Sequence, residues 1–180
     1  MTAAIPPHAE LLRDFVNTAD LETGEDRLSS PSGLEAWLSD HGLGPVRTNR
    51  AGVEGVLALR EALRRLLLAN AGIGEAAEED WAIVEDAARR GRIALRHRRD
   101  GALAPEATAA GLPGALGRLA VAVSLATQDG SWLRLKACRA HDCHWAFYDE
   151  ARNHSRQWCS MSVCGNREKV RVFRARHAPV

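Results

Sequence analysis

Along this 180-residue chain the apolar positions recur first at helical spacing and then at strand spacing. In His8–Asn17 they are Leu11, Leu12, Phe15 and Val16, behind Pro6-Pro7, which predicts a helix that Asn17, Thr18 and Gly24 end. A short second helix opens at Ser30-Pro31. Ser32 and Glu35 stand at capping-box spacing, Leu34, Trp37 and Leu38 form its buried stripe, and Gly42 stops it. Thr48 or Asn49 caps the longest helix, which runs to about Asn70 with Val53, Val56, Leu57, Leu63, Leu66 and Leu67 inward. A fourth covers roughly Glu78–Arg90, with Trp81, Val84 and Ala88 inward and Gly91 at its end. Glu61–Arg65 and Glu85–Arg89 are expected as i,i+4 ion pairs on these helices.

The rhythm then changes. Arg92–His97 alternates, Arg98-Arg99-Asp100-Gly101 is turn chemistry, and Ala102-Leu103-Ala104 alternates again, which is the pattern of a β-hairpin. Leu112–Gln128 is small, apolar and almost uncharged, as a central buried helix would be, and Asp129-Gly130 marks a boundary. Beyond it Trp132–Ala137 alternates, with Leu133, Leu135 and Ala137 on one side and Trp132, Arg134 and Lys136 on the other. Trp145–Tyr148 reads as the returning strand. A last helix starts at Cys164-Gly165-Asn166 and reaches about Arg176, with Val170, Phe173 and His177 as its expected core stripe.

Composition adds the physical class. Hydrophobic residues make up 46% of the chain, enough for a sizeable core. The N-terminus lacks a basic segment followed by an apolar run, and the longest apolar stretch, Leu119–Ala126, is far short of the ~20 residues that cross a bilayer. A cytoplasmic protein with no membrane partner is expected. The net charge of +1 conceals polarity: residues 131–180 hold ten Lys/Arg against four Asp/Glu, a net of +6, while the rest carries −5. Such a basic end suits a polyanionic partner.

The four cysteines, Cys138, Cys143, Cys159 and Cys164, are the only ones, spaced C-x4-C-x15-C-x4-C. Two close pairs across a short loop are the ligand pattern of a four-thiolate Zn2+ site, and in a reducing compartment thiolate ligation is favoured over disulfides. Four thiolates leave no open coordination position, so the metal is structural. His141, His144 and His154 lie nearby in sequence as substitute ligands or supporting groups. A strand pair delivering two thiolates, and a helix start delivering the others, resembles a treble clef. The fold class expected is therefore mainly α: a helical domain with a small β-hairpin over residues 1–130, then a treble-clef-like zinc finger over residues 131–180.

On the closing helix Arg167, Arg171 and Arg174 fall on one ridge, and Lys169 and Arg176 on the other flank. Arginines at that spacing suit phosphates and guanine edges. No nucleophile–base set, phosphate loop or carboxylate pair is legible, so no enzyme is expected. Asp14 and Asn17 share a helix face, which reads as a local cap, and His97 falls in the hairpin.

Arg156-Gln157-Trp158-Cys159-Ser160-Met161, followed by Cys164-Gly165-Asn166-Arg167-Glu168-Lys169, resembles the signature of the CGNR zinc-finger family. Cys138-x4-Cys143 and Phe147-Tyr148-Asp149 fit it as well. Asp14-Phe15-Val16-Asn17-Thr18 and Leu34-Glu35-Ala36-Trp37-Leu38 resemble the ABATE domain that usually precedes this finger. Gln157 departs from the pattern where a second arginine is expected, and Ala151 where a small hydroxyl residue is common. The resemblance implies a bacterial stress-response transcription regulator whose finger binds DNA. Arg156, Arg167, Lys169, Arg171, Arg174 and Arg176 are then the candidate DNA contacts. The helical domain would sense a small-molecule effector or form a homodimer, and a dimer or added contacts from that domain would be needed because a lone module buries only ~600–1,000 Å² on DNA. The alternative is a zinc-stapled protein–protein interaction module. Removing zinc is expected to unfold residues 131–180 and spare the helices before them.

Overall fold

The structure, a computed structural model, describes residues 4–177. Helix α1 (Pro7–Val16) starts with proline at its first position, where the missing N–H is no loss. Helix α2 (Pro31–Asp40) is capped by Ser30, whose hydroxyl accepts the Gly33 N–H at 3.1 Å. The cap thus lies two residues before the expected box, and Glu35 instead accepts the Thr48 N–H at 2.9 Å, which ties α2 to the start of the next helix. That helix, α3 (Arg50–Asn70), is capped by Asn49. Helix α4 (Glu78–Arg90) has three acids in its first turn and two arginines in its last, both favourable to the helix dipole. Strands β1 (Ile93–His97) and β2 (Leu103–Ala107) form an antiparallel hairpin, and α5 (Gly111–Gln128) follows.

Helices α1, α3, α4 and α5 surround an aliphatic core in which Leu12, Phe15, Leu59, Leu63, Leu66, Leu67 and Leu119 are fully buried. Helix α5 comes close to the α4 terminus because neither Gly91 nor Gly117 has a side chain. A Cβ on Gly91 would stand 2.5 Å from the Gly117 Cα. The ion pairs on α3 and α4 differ from the i,i+4 expectation. Glu61 accepts from Arg60 and Arg64, Arg65 reaches across to Asp80, and Arg89 pairs with Asp86.

The core continues past residue 130, where Trp132, Leu135, Ala137 and Ala146 belong to the same cluster. The Trp132 ring lies 5.5 Å from that of Trp81 on α4. Ser131–Arg134 is a single 3-10 turn, and only Leu135–Ala137 (β3) is strand, paired antiparallel with β4 (Ala146–Tyr148). A three-residue period therefore replaces the expected two-residue alternation. It turns Trp132 inward and leaves Leu133 exposed. Lys136, expected outside, is buried against Asp149.

A wide π turn, Met161–Gly165, passes directly into α6 (Asn166–Arg176). Helix α6 packs on that turn and stands away from the core. Val170 and Phe173, expected to be buried, are 49% and 62% exposed, and His177 stacks on Phe173 in the open. The stripe is real, but among the described residues it stays largely open to solvent. The described part is thus mainly α with a small hairpin, and four cysteines cluster near its C-terminal end.

Candidate metal centre and basic helix

Cys138 leaves β3 directly. Ala140–His144 then turns tightly, the N–H groups of Cys143 and His144 both reaching the Ala140 carbonyl, and Cys143 comes back beside Cys138. His144 completes the turn at φ 46°, a left-handed conformation costly for a side-chain-bearing residue. Cys164 arrives on the π turn, and Cys159 just precedes it, next to Ser160, whose hydroxyl accepts the Val163 N–H. The two jaws meet where the Arg139 N–H donates to the Gln157 carbonyl at 2.9 Å.

All four Sγ atoms lie within 4.8 Å of one another. Cys143 and Cys159 are 3.7 Å apart, and Cys159 and Cys164 3.6 Å. These separations are far beyond a disulfide bond of about 2.05 Å. They are close to the ~3.8 Å edge of a tetrahedron built on Zn–S bonds of about 2.3 Å. The four cysteines are positioned to bind one metal ion, and the donor set suits structural Zn2+. Among the described residues no histidine joins this cluster, so His141, His144 and His154 stand outside it.

The site favours a thiolate at Cys138. Hydrogen bonds from Cys143 and Cys159 bring the Cys138 thiol down to about 2, helped by the amides of Cys159 and Ala140. Donating to Cys138 pushes Cys143 up and Cys159 up to about 12. The cluster therefore already shares its protons around a buried negative sulfur, and a divalent cation would displace the protons that remain.

Polar side chains from the helices hold the first jaw in place. The Asn17 side chain pairs with the backbone of β4 as a strand would, donating to the Ala146 carbonyl at 2.9 Å and accepting its N–H at 2.7 Å. Arg64, 3% exposed, donates to the carbonyls of His144 and Val16 and to Glu61. Asn70 donates to the Trp132 and Leu135 carbonyls. Arg60 holds the loop after α1 through a two-pronged pair with Asp26 at 2.7 and 2.9 Å. Asn17 is the C-cap of α1 through its backbone, as expected, and its side chain is in addition a bridge to the metal region; Arg60, Arg64 and Asn70 had no signature in the sequence.

The second jaw is held by a buried ion pair. Lys136 meets the fully buried Asp149 at 2.8 Å and also donates to the His154 carbonyl. Burial alone would raise the Asp149 carboxyl. The ammonium, with the Ala151 and Arg156 amides, more than offsets this and keeps it below the usual range.

A family model described as "Putative stress-induced transcription regulator", ABATE, matches residues 9–129. The chain belongs to the ABATE family. The model of the CGNR zinc finger matches residues 134–177, so the metal cluster lies within the finger that follows the ABATE region. No curated protein matches the chain. Neither family description is that of an enzyme.

The basic residues of this ABATE chain's finger are not equivalent. Arg156 lies 5.1 Å from the Phe147 ring centroid and donates to the Cys159 carbonyl, so it latches the finger. Arg167 pairs with Asp142 at 2.8 Å and with Glu22 at 3.1 Å, and one of its N–H groups faces the Cys164 sulfur at 3.8 Å. Arg171 is matched two-pronged to Glu168 on the exposed surface. Among the described residues Lys169, Arg174 and Arg176 are exposed and pair with no carboxylate. A cleft of about 380 Å³ between the first jaw and α6 is lined by Arg139, His141, Arg167 and Arg171, with Asp142 and Glu168.

Proposed function

We propose that the chain is a zinc-stapled transcription regulator that grips DNA through α6, with residues 131–180 as its finger and residues 1–130 as a sensor or dimerisation module. The observation that carries this reading is a projecting basic helix fixed at its first turn by the metal cluster. Among the described residues Lys169, Arg174 and Arg176 are there without carboxylate partners. The exposed Arg171–Glu168 pair is weak enough for a phosphate to displace Glu168. Arg167 and Arg156 are read as positioning residues that set the angle of α6 and the finger wall. A cavity of about 440 Å³ between α3, α4 and α5, lined by Leu59, Ile83, Leu112 and Leu116 with Asp86 and Arg90, supports a small effector in the helical part.

The test is a salt titration of duplex DNA binding by the zinc-loaded chain. Affinity is expected to fall steeply as salt rises, because each neutralised phosphate releases counterions. Arg174→Glu with Arg176→Glu should weaken binding by about tenfold or more without changing Tm, and should flatten the salt slope. Absence of binding at low salt would sink the reading. The exposed Val170 and Phe173 favour a second reading, in which α6 docks on a protein. That reading predicts a complex that survives high salt and is lost in Phe173→Ser.

A further inference from the structure

The hairpin β1–β2 offers a second recognition element, far from the metal cluster in sequence. Strand β2 lies against α5, where Ala107 is buried over Gly117, while β1 hangs on the outside and, among the described residues, pairs with β2 alone. The ladder has a definite phase. Arg98 donates to the Ala102 carbonyl and Thr108 to that of Arg92, so the even positions of β1 are the hydrogen-bonded ones. The N–H and C=O groups of Ile93, Leu95 and His97 therefore point outward along the free edge. On the other side the outward position of β2 opposite Leu95 is Pro105, which has no N–H to offer. One edge is closed to a further strand and the other is open.

The two faces of this edge differ in chemistry. Ile93 and Leu95, with Leu103 on the neighbouring strand, continue the buried face of Ala107 into solvent, Leu95 being 67% and Leu103 65% exposed. Arg96 and Arg98 fall on the opposite face, where Glu106 stands across from Ala94 and Arg98 lies 3.6 Å from Asp100, and Arg92 and Arg99 flank the strand. A second copy of β1 paired through these groups would gather the arginines of both strands on one face, which disfavours self-pairing. A strand that places apolar side chains on one face and carboxylates on the other would match both.

We propose that β1 is a docking edge for an extended segment of a partner protein in which acidic and apolar residues alternate. The segment would add a third strand to the hairpin through the outward groups of Ile93, Leu95 and His97. Its apolar side chains would cover Leu95 and Leu103, and its carboxylates would meet Arg96 and Arg98.

The probe is a short fluorescein-labelled peptide in which Glu and Val alternate, titrated with the zinc-loaded full chain by fluorescence anisotropy. Binding is expected, and a peptide alternating Lys and Val should not bind. Leu95→Pro removes only an outward N–H and an exposed side chain, so the hairpin keeps its ladder. It should weaken binding by about tenfold or more, a loss of at least ~1.4 kcal/mol, and Leu95→Ala by less. Arg96→Glu with Arg98→Glu should transfer the preference to the Lys/Val peptide. Circular dichroism of each variant should match the parent, since all three side chains are exposed. Three results would overturn the proposal. One is no binding of the Glu/Val peptide. Another is equal binding by Leu95→Pro. The third is a concentration-dependent dimer, seen by sedimentation and abolished by Leu95→Pro, in a chain that ignores the peptide.

Discussion

The two jaws of the metal cluster belong to different structural environments. The first is β3–β4, part of the main core and gripped by Asn17, Arg64 and Asn70, with Cys138 and Cys143 just beyond it in a second small cluster. The second, Cys159 and Cys164 with α6, rests on the Lys136–Asp149 pair, the Arg167 contacts and the sulfur cluster itself. A metal ion binding all four thiols would couple a rigid platform to a projecting helix that has almost no apolar anchorage of its own. The contrast shows what a structural ion contributes in a small module: it reinforces the small cluster around Trp145 and Trp158 that is, among the described residues, the second jaw's only core.

Metal removal is the strongest way to break that contrast. Apparent zinc affinities in finger peptides correspond to ~10–16 kcal/mol, so Cys164→Ser should lose the metal, measured by elemental analysis. Hydrogen exchange should then rise over residues 150–177 while β3, β4 and the helices stay protected. That outcome narrows the earlier expectation, in which all of residues 131–180 unfold together. Equal loss of protection in β3–β4 would show that the two jaws are one unit after all.

The complementary break is on the platform side. Asn17→Ala leaves the Ala146 N–H and C=O without partners in a buried site. The expected cost is about 3 kcal/mol, or a Tm lower by about 10 °C for a chain of this size. Because the pairing partner is in β4, metal affinity should fall as well, which a metal-competition titration would detect. A Tm change of under about 2 °C would mean that the core alone holds the strand pair.

A smaller effect comes from pH. Burial would raise the Asp26 carboxyl, but the Arg60 guanidinium and the Leu28 amide hold it below its usual value of 3.8. Its contribution is thus fully present above about pH 4 and is lost as pH falls through the depressed folded value. Asp26→Asn should lower Tm at pH 7, by an amount corresponding to about 1 kcal/mol, and give a shallower acid limb. An unchanged limb would assign the acid sensitivity to Asp149 and the thiolates instead.

The helices and the cysteine clamp were legible in the chain because their signals are local. The spacing of Leu11, Leu12, Phe15 and Val16, or of two C-x4-C pairs, carries its own geometry. The Asn17 partner is 129 positions away, and nothing near Asn17 announces it. Arg60 and Arg64 carry no local signal of burial, yet they are 4% and 3% exposed. Trp132 was misplaced because one 3-10 turn changes the period within four residues, and Lys136 because the segment from Asp149 to Arg156 covers the outer face of β3.

By itself the sequence determined which segments are helical, where the hairpin turns, and that four thiols would converge on one ion. These follow from backbone propensities and short-range spacing. Only the tertiary structure decided that Asn17 and two arginines go inside, that the core runs on into β3–β4, and that α6 remains outside with its apolar stripe uncovered. Burial depends on which surfaces the whole chain brings together, and no stretch of sequence holds that information alone.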